Sequence, residues 1–282
     1  MQLAPDQVSG YFRDGFLVLP ALYCAAEVAV LQAETQRLSE VMSDCVKRER
    51  SGAARSILRV HETDGETASA AFRALTRTPR LVQPVTQLLG DDQVYIFHTK
   101  INVKAAFEGG IYSWHQDFGT WRSDGLRAPL PITAMVMLDD ATELAGCLYF
   151  APGSHQDGDV AHEEDHALGA LNRLSADRRQ LTRVLEARRP VPIVGVAGTV
   201  VLFHSNLVHG SGHNMSPWDR RQIYVVYNPV ANKPSAVESP RPDFVCSRNC
   251  MAIEMVSDAD ILSTVGGCTA GKAPLTLGAA CD

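Results

Sequence analysis

Apolar residues change their spacing about a third of the way along this chain. Before Gly90 they recur mostly at helical intervals, and after Asp91-Asp92 they alternate or run in short blocks. Residues 25–46 carry Val28, Leu31, Leu38, Val41 and Met42 near helical spacing and predict an amphipathic helix. Residues 67–89 predict a second helix, interrupted at Pro79 and closed by Gly90, a suitable C-cap. A short strand, residues 16–19, lies between the Asp14-Gly15 turn and Pro20. Residues 48–55, charged and small, read as a loop.

Past residue 92 the pattern predicts strands over 94–97, 100–107, around His115, and over 132–138, 148–150, 191–196, 199–203 and 220–227. Loops are expected over 122–131 and 204–217, and a charged surface excursion with helical character over 156–190. Beyond 230 the chain turns Pro-rich, then weakly helical, and a small-residue tail from Ser263 is expected to be poorly ordered. Many short strands preceded by two helices point to a mainly β fold, a sandwich or barrel with flanking helices.

Two stretches carry candidate chemistry. In Ser113-Trp114-His115-Gln116-Asp117-Phe118, His115 and Asp117 stand two apart, so on an extended strand both point to one face. Two histidines and one carboxylate make the facial triad of non-haem Fe(II) oxygenases. A third ligand is offered by His204, His209 or His213, and spacing alone does not choose among them. In the strand from Arg220, the side chains of Arg220, Gln222 and Tyr224 share one face. A guanidinium there could grip a carboxylate bidentately, such as the far end of a 2-oxo acid that supplies electrons to a ferrous site. Lys100, Asn102 and Lys104 also share one strand face, either solvated or lining a polar lumen, where a lysine would require an anionic partner. His162 and His166 stand at i, i+4 among acidic residues and read as a solvated face.

Composition narrows the classes. The chain has 282 residues and a formal net charge of −6, with no basic stripe, which argues against nucleic acid as a partner. No apolar run approaches the ~18 residues of a membrane span, and the first residues lack a signal-peptide pattern. A cytoplasmic protein without membrane partners is expected. The seven cysteines are scattered without a Cys-x-x-Cys pair and read as reduced thiols.

Taken together, the order and spacing of several short motifs resemble the phytanoyl-CoA dioxygenase family of Fe(II)/2-oxoglutarate oxygenases, and within it the ectoine hydroxylases. They include Tyr11-Phe12-Arg13-Asp14-Gly15-Phe16, Lys100-Ile101-Asn102-Val103-Lys104, Trp114-His115-Gln116-Asp117-Phe118 with Trp121, and Asp124-Gly125. Pro152-Gly153-Ser154-His155, His209-Gly210-Ser211, Arg220 and Val226-Tyr227-Asn228 follow. The resemblance implies a double-stranded β-helix (jelly roll, cupin-like) and a single oxygenase domain over 1–282. Its helical part would be about 1–92, its jelly-roll core about 93–230 and its C-terminal extension about 231–282. It implies iron ligands His115, Asp117 and His209, and 2-oxoglutarate contacts from Lys100, Asn102, Ser211 and Arg220, with O2 as co-substrate. Trp121 resembles the tryptophan lining the substrate pocket. His98 stands where ectoine hydroxylases have a glutamine, and Tyr112 and Tyr224 where they have phenylalanines. Ala145-Gly146-Cys147 replaces the family's usual Asn-Gly-Pro. The four residues His98, Tyr112, Trp121 and Tyr224 are thus expected to meet a small polar substrate, amino-acid-like or ectoine-like, in a monomer or homodimer. A carboxylate at Asp117 favours hydroxylation, while desaturation or cyclisation would use the same ligands. A cupin-type metal enzyme without 2-oxoglutarate would have no need of a buried cation at Arg220, and a non-catalytic binding module would have no need of the intact ligand set.

Overall fold

The computed structural model describes residues 1–160, 162–164 and 174–266. Helix α1 (Pro5–Asp14) begins on a proline, which gives up no intrahelical bond at that position, and ends where Gly15 turns to φ 83°. Strand β1 (Phe16–Leu19) and helix α2 (Ala25–Ser39) follow. The helix stops at Ser39 rather than 46, because Val46 is drawn into strand β2 (Val46–Arg48). With β3 (Ala54–Leu58) this strand makes a hairpin where a loop was expected. The hairpin has little strand pattern of its own; β3 pairs onto the next strand, Ser56 opposite Asn102, and that tertiary pairing defines it. Pro79 does not interrupt a helix but starts one: α3 (Ala70–Leu75), capped by Ser69 Oγ accepting from Phe72 N, is followed by α4 (Pro79–Leu89), which Gly90 closes at φ 64°.

Strand β4 (Val94–Lys104) joins two segments that the sequence pattern separates. Its partner register shifts between Val226 and Tyr227, opposite His98 and Ile96, a bulge that flips the side-chain phase. Before it Val94 and Ile96 face the helices; after it Ile101 and Val103 do, and Lys100 and Asn102 face the other way. Strand β5 (Tyr112–His115) leads into α5 (Asp117–Ser123), then β6 (Ile132–Met137) and β7 (Leu148–Phe150). The surface excursion contains β8 (His162–Glu164), β9 (Leu174–Ala176) and α6 (Arg178–Ala187). Strands β10 (Val191–Ile193), β11 (Val200–His204), β12 (His209–Ser211) and β13 (Arg220–Pro229) complete the sheets, and α7 (Asp260–Gly266) closes the described chain. Strand β12 thus lies within the expected polar loop 204–217. His166 lies outside the described residues, as does the small-residue tail beyond Gly266; Ser263 itself is in α7.

Two antiparallel sheets carry the fold: seven strands ordered β1-β11-β6-β13-β4-β3-β2 and four ordered β10-β7-β12-β5. The larger sheet packs one face against the helices, with Ile101, Val136, Leu202, Ile223 and Val225 fully buried beside Leu31, Phe72 and Val85. Its other face meets the smaller sheet through Met135, Phe203 and Phe150. This is the helix-flanked double-stranded β-helix expected from the sequence. Gly198 shows how closely the layers fit: at φ 87°, a Cβ there would meet Tyr23 O at 2.1 Å. Cys45, Cys147, Cys246 and Cys250 are free thiols as expected, whereas Cys24 is disulfide-bonded. Among the described residues no helix is long and apolar enough to cross a membrane.

Candidate active site

The smaller sheet brings His115 and His209 together as direct cross-strand partners, with ring centroids 4.2 Å apart. Asp117 reaches them by a different route from the one expected. It is the first residue of α5 and not a strand residue, but Gln116 is extended (φ −112°, ψ 134°) and keeps the carboxylate on the histidine face. His115 Nε2 lies 3.6 Å from Asp117 Oδ1, and His209 Nε2 lies 4.0 Å from Oδ2. Gln116, fully turned away, bonds to the carbonyls of Gly158 and Asn206 and fixes the strand-to-helix corner.

Both imidazoles are oriented through their far nitrogens. His115 Nδ1 donates to Ser113 O at 2.7 Å and His209 Nδ1 to Leu207 O at 2.9 Å, which leaves both Nε2 lone pairs facing Asp117. Burial, with the neighbouring His115 second, lowers the His209 pKa to about 4, so its ring is neutral at pH 7. Burial alone would raise the Asp117 carboxyl, yet His209, His115 and Lys100 hold it below the usual carboxylate range. One ligand atom from each of the three residues fits within 4.8 Å of the others. Two imidazoles with their Nε2 atoms turned inward and an ionised carboxylate at that spacing suit a divalent iron.

The competing histidines are placed elsewhere. His204 Nδ1 accepts from Asn206 N at 3.0 Å and its ring packs against His155; His213 is exposed.

The cleft above Asp117 is lined from the larger sheet by His98, Lys100, Asn102, Thr133 and Tyr224, and from the smaller by Tyr112, Leu148 and Ser211. Lys100 Nζ stands 5.8 Å from the Tyr112 ring centre and 5.7 Å from that of Tyr224. Asn102 Oδ1 accepts from Ser56 Oγ and Tyr112 Oη. Trp121, 5% exposed, meets Phe97 edge-on at 5.9 Å and forms one wall. His98 donates Nδ1–H to Val245 O, and burial lowers its pKa to about 3, so its Nε2 is left as an acceptor.

Arg220 does not itself line the cleft. It lies behind, 1% exposed, with Nη1 on Gln222 Oε1, the atom that also accepts from Tyr224 Oη at 2.9 Å. At this end three buried polar atoms have no partner among the described residues, Arg220 Nε, Gln222 Nε2 and Ser211 Oγ; Thr133 Oγ1 is also without one, but it lies beside Val226 at the His98 end. Unsatisfied buried groups are rare and each costs about 1–3 kcal/mol. The grouping of those on Arg220, Gln222 and Ser211 at one end of the cleft fits a bound carboxylate there, the need that a 2-oxo acid would meet.

Lys104 departs from expectation. It is 1% exposed, its ammonium donates to Gly212 O rather than to any carboxylate, and burial, then Arg220 opposite, push its pKa down to about 6. The buried lysine is accommodated by losing its proton instead of by pairing with an anion.

Arg241 was not found by sequence pattern. It lines the cleft from a Pro-flanked segment and is held by buried Asp124, Nε to Oδ2 at 2.8 Å and Nη2 to Oδ2 at 2.5 Å. The Asp124-Gly125 turn was visible, but nothing in the sequence connects it to a residue so far along. Thr133 was hidden in an otherwise apolar strand, where it is the one hydroxyl pointing to the cleft side.

A double-stranded β-helix that brings two imidazoles and one carboxylate to a point beside a polar cleft defines a non-haem iron oxygenase architecture. The comparisons with known proteins agree. Residues 11–222 match the family model of phytanoyl-CoA dioxygenase (PhyH), and the chain belongs to that family. It is 35% identical to the ectoine dioxygenase of Bordetella bronchiseptica over 93% of this chain and 88% of that protein. It is also 35% identical to the L-proline trans-4-hydroxylase of Streptomyces griseoviridis, over 89% and 95% respectively. The crystal structure of EctD from S. alaskensis with 2-oxoglutarate and 5-hydroxyectoine superposes with a TM-score of 0.77 at 30% identity, covering 90% of this chain and 88% of that one. A structure of the same protein contains bound Fe.

Proposed function

We propose that this protein is an Fe(II)- and 2-oxoglutarate-dependent dioxygenase that hydroxylates a small polar molecule bearing a carboxylate. The observation that carries the reading is the His115, Asp117 and His209 set facing a cleft whose inner end holds three unsatisfied buried polar atoms, on Arg220, Gln222 and Ser211. Relatives named for ectoine and for L-proline, both small cyclic zwitterions, support the substrate class.

His115, Asp117 and His209 would hold the metal. When bound, Fe(II) and 2-oxoglutarate supply the oxidising chemistry: the 2-oxo acid yields succinate and CO2 while O2 gives a hydroxyl oxygen to a C–H bond. Arg220 and Ser211 receive the distal carboxylate of 2-oxoglutarate, and Lys100 and Asn102 flank it. Arg241, held rigid by Asp124, takes the substrate carboxylate at the other end of the cleft. Neutral His98 accepts a proton-bearing group such as a substrate ammonium or amidine through Nε2. Trp121, Tyr112 and Tyr224 exclude water and fix the carbon presented to the iron side.

The test is anaerobic reconstitution with Fe(II) and 2-oxoglutarate in wild type and Arg220→Ala, reading the weak visible charge-transfer band. Wild type shows the band, and the variant needs at least tenfold more 2-oxoglutarate to reach half its intensity. Aerobic incubation with ectoine, L-proline and related zwitterions then reads succinate and hydroxylated product by mass. Iron binding without a band would overturn the co-substrate assignment. Turnover confined to molecules without a carboxylate would overturn the substrate class.

A further inference from the structure

Behind the larger sheet, on its helix face, is a second cavity of about 250 Å³ lined by His61, Glu62, Arg73, Arg77, Ser247 and Glu254, among others. Arg73 is in α3 and Arg77 in the turn just after it, where its guanidinium folds back onto Arg73 O, so that both line the cavity. Both are partly buried, and neither has a carboxylate partner: Arg77 donates to Arg73 O and Thr76 Oγ1, and the Arg73 guanidinium has no bond to any described residue. Burial lowers the Arg77 pKa, with Arg73 adding to it. The positive field is felt next door. Buried His61 is pushed down to about 3, by burial first and then by Arg77, Arg59 and Arg73.

Two carboxylates also line the cavity, and Glu62 offsets part of the Arg77 charge. Glu62 accepts from Ser247 Oγ at 3.1 Å and lies 3.3 Å from His61 Nε2, and Glu254 is exposed. Two arginines with no direct bond to a described carboxylate, Glu62 acting on Arg77 only through space, border a cavity several times the ~30 Å³ occupied by a water molecule and can receive an anion. A pair of guanidinium forks is suited to planar or tetrahedral oxygens.

We infer that the Arg73–Arg77 cavity is a binding site for a small oxyanion of the carboxylate or phosphate class, separate from the iron cleft. It does not depend on which substrate the cleft takes. The site is also connected to the cleft. The segment from Arg241 to Glu254 starts in the cleft, where Arg241 and Val245 line it, and ends as a wall of the second cavity. Between these points Ser247 N donates to Phe97 O at 2.8 Å and Ile253 N to Val94 O at 2.9 Å, which ties the segment along β4. An anion bridging the arginines to Ser247 and Asn249 would hold this segment, and with it Arg241, in place.

The experiment titrates inorganic phosphate and, separately, acetate into the full-length protein by calorimetry, in wild type and Arg73→Gln. Arg73 makes no side-chain bond to any described residue, so its glutamine variant is expected to fold, with thermal unfolding as the check. Saturable binding of either anion in wild type, weakened at least tenfold in Arg73→Gln, is expected; the anion that binds assigns the class. Hydrogen exchange at the Ser247 and Ile253 amides should slow when the anion is present. Absence of saturable binding overturns the inference. So does binding indifferent to Arg73→Gln, which would place the anion on the cations of the iron cleft.

Discussion

The Arg241–Asp124 pair combines two roles that a single substitution would confuse, and a pair of substitutions separates them. The guanidinium and carboxylate side chains are 6% and 0% exposed, and Arg241 also gives its backbone N–H to Asp124 Oδ1 at 3.1 Å. Removing one charge strands the other in a low-dielectric site, which costs about 3–5 kcal/mol, a large share of a total stability of roughly 5–15 kcal/mol. Arg241→Leu is therefore expected to lose about that much stability, and Asp124→Leu a similar amount. Replacing both by apolar residues of similar volume leaves no stranded charge, so Asp124→Leu/Arg241→Leu should return to within about 2 kcal/mol of wild type. Substrate recognition should not return with it. A hydrogen bond to a charged group contributes about 1.5–3 kcal/mol, which corresponds to a roughly 10- to 150-fold rise in substrate KM. The affinity for 2-oxoglutarate, held by other residues, should stay near wild type. Urea unfolding gives the stability cycle, and substrate-dependent succinate release gives KM. If the double variant regains stability and keeps KM for the carboxylate substrate within about threefold, Arg241 is a structural residue and the assignment fails.

Two further outcomes test the fold around the site. Lys104 titrates near 6 in the folded protein and near its ordinary value of 10.5 in the unfolded chain. Between those values the unfolded chain holds the extra proton, so stability rises with pH through the window, by at most ~1.4 kcal/mol per pH unit. Lys104→Met should remove that slope and raise stability by about 2–4 kcal/mol near pH 7, after allowing for the lost bond to Gly212 O, with the gain shrinking toward pH 10. Urea unfolding at several pH values checks it, and an unchanged slope would sink the assignment. Gly198→Ala forces a β-carbon against Tyr23 O in a left-handed backbone, and is expected to lower stability by about 2–4 kcal/mol in thermal unfolding while leaving iron content unchanged.

What could be read from the sequence was what short spacing encodes. His115 and Asp117 are two residues apart, and that spacing survives even though a helix begins between them. The alternation of Lys100, Ile101, Asn102 and Val103 gave the cleft face of β4 correctly, but the bulge at His98 hid the strand's continuity by reversing the phase. Spacing did not distinguish His209 from His204 and His213; the family resemblance pointed to it, and its pairing with His115, a contact between distant segments, is the physical reason. Arg241 was invisible for the same reason. Its neighbours Pro240 and Pro242 impose no period, and its burial is decided by Asp124, far away along the chain. Lys104 shows the converse: the pattern placed it on an inward face, but not how the fold would tolerate it.

The two sheets contribute unequally to the site. The paired imidazoles of His209 and His115 sit on strands of only three and four residues in the smaller sheet, while His98, Tyr224 and Arg241 belong to the larger sheet and to the segment after it. Inheritance can therefore act on the two halves independently. Exchange of a wall residue or a shift in the trailing segment would redirect which molecule is presented while leaving the His115, Asp117 and His209 corner in place.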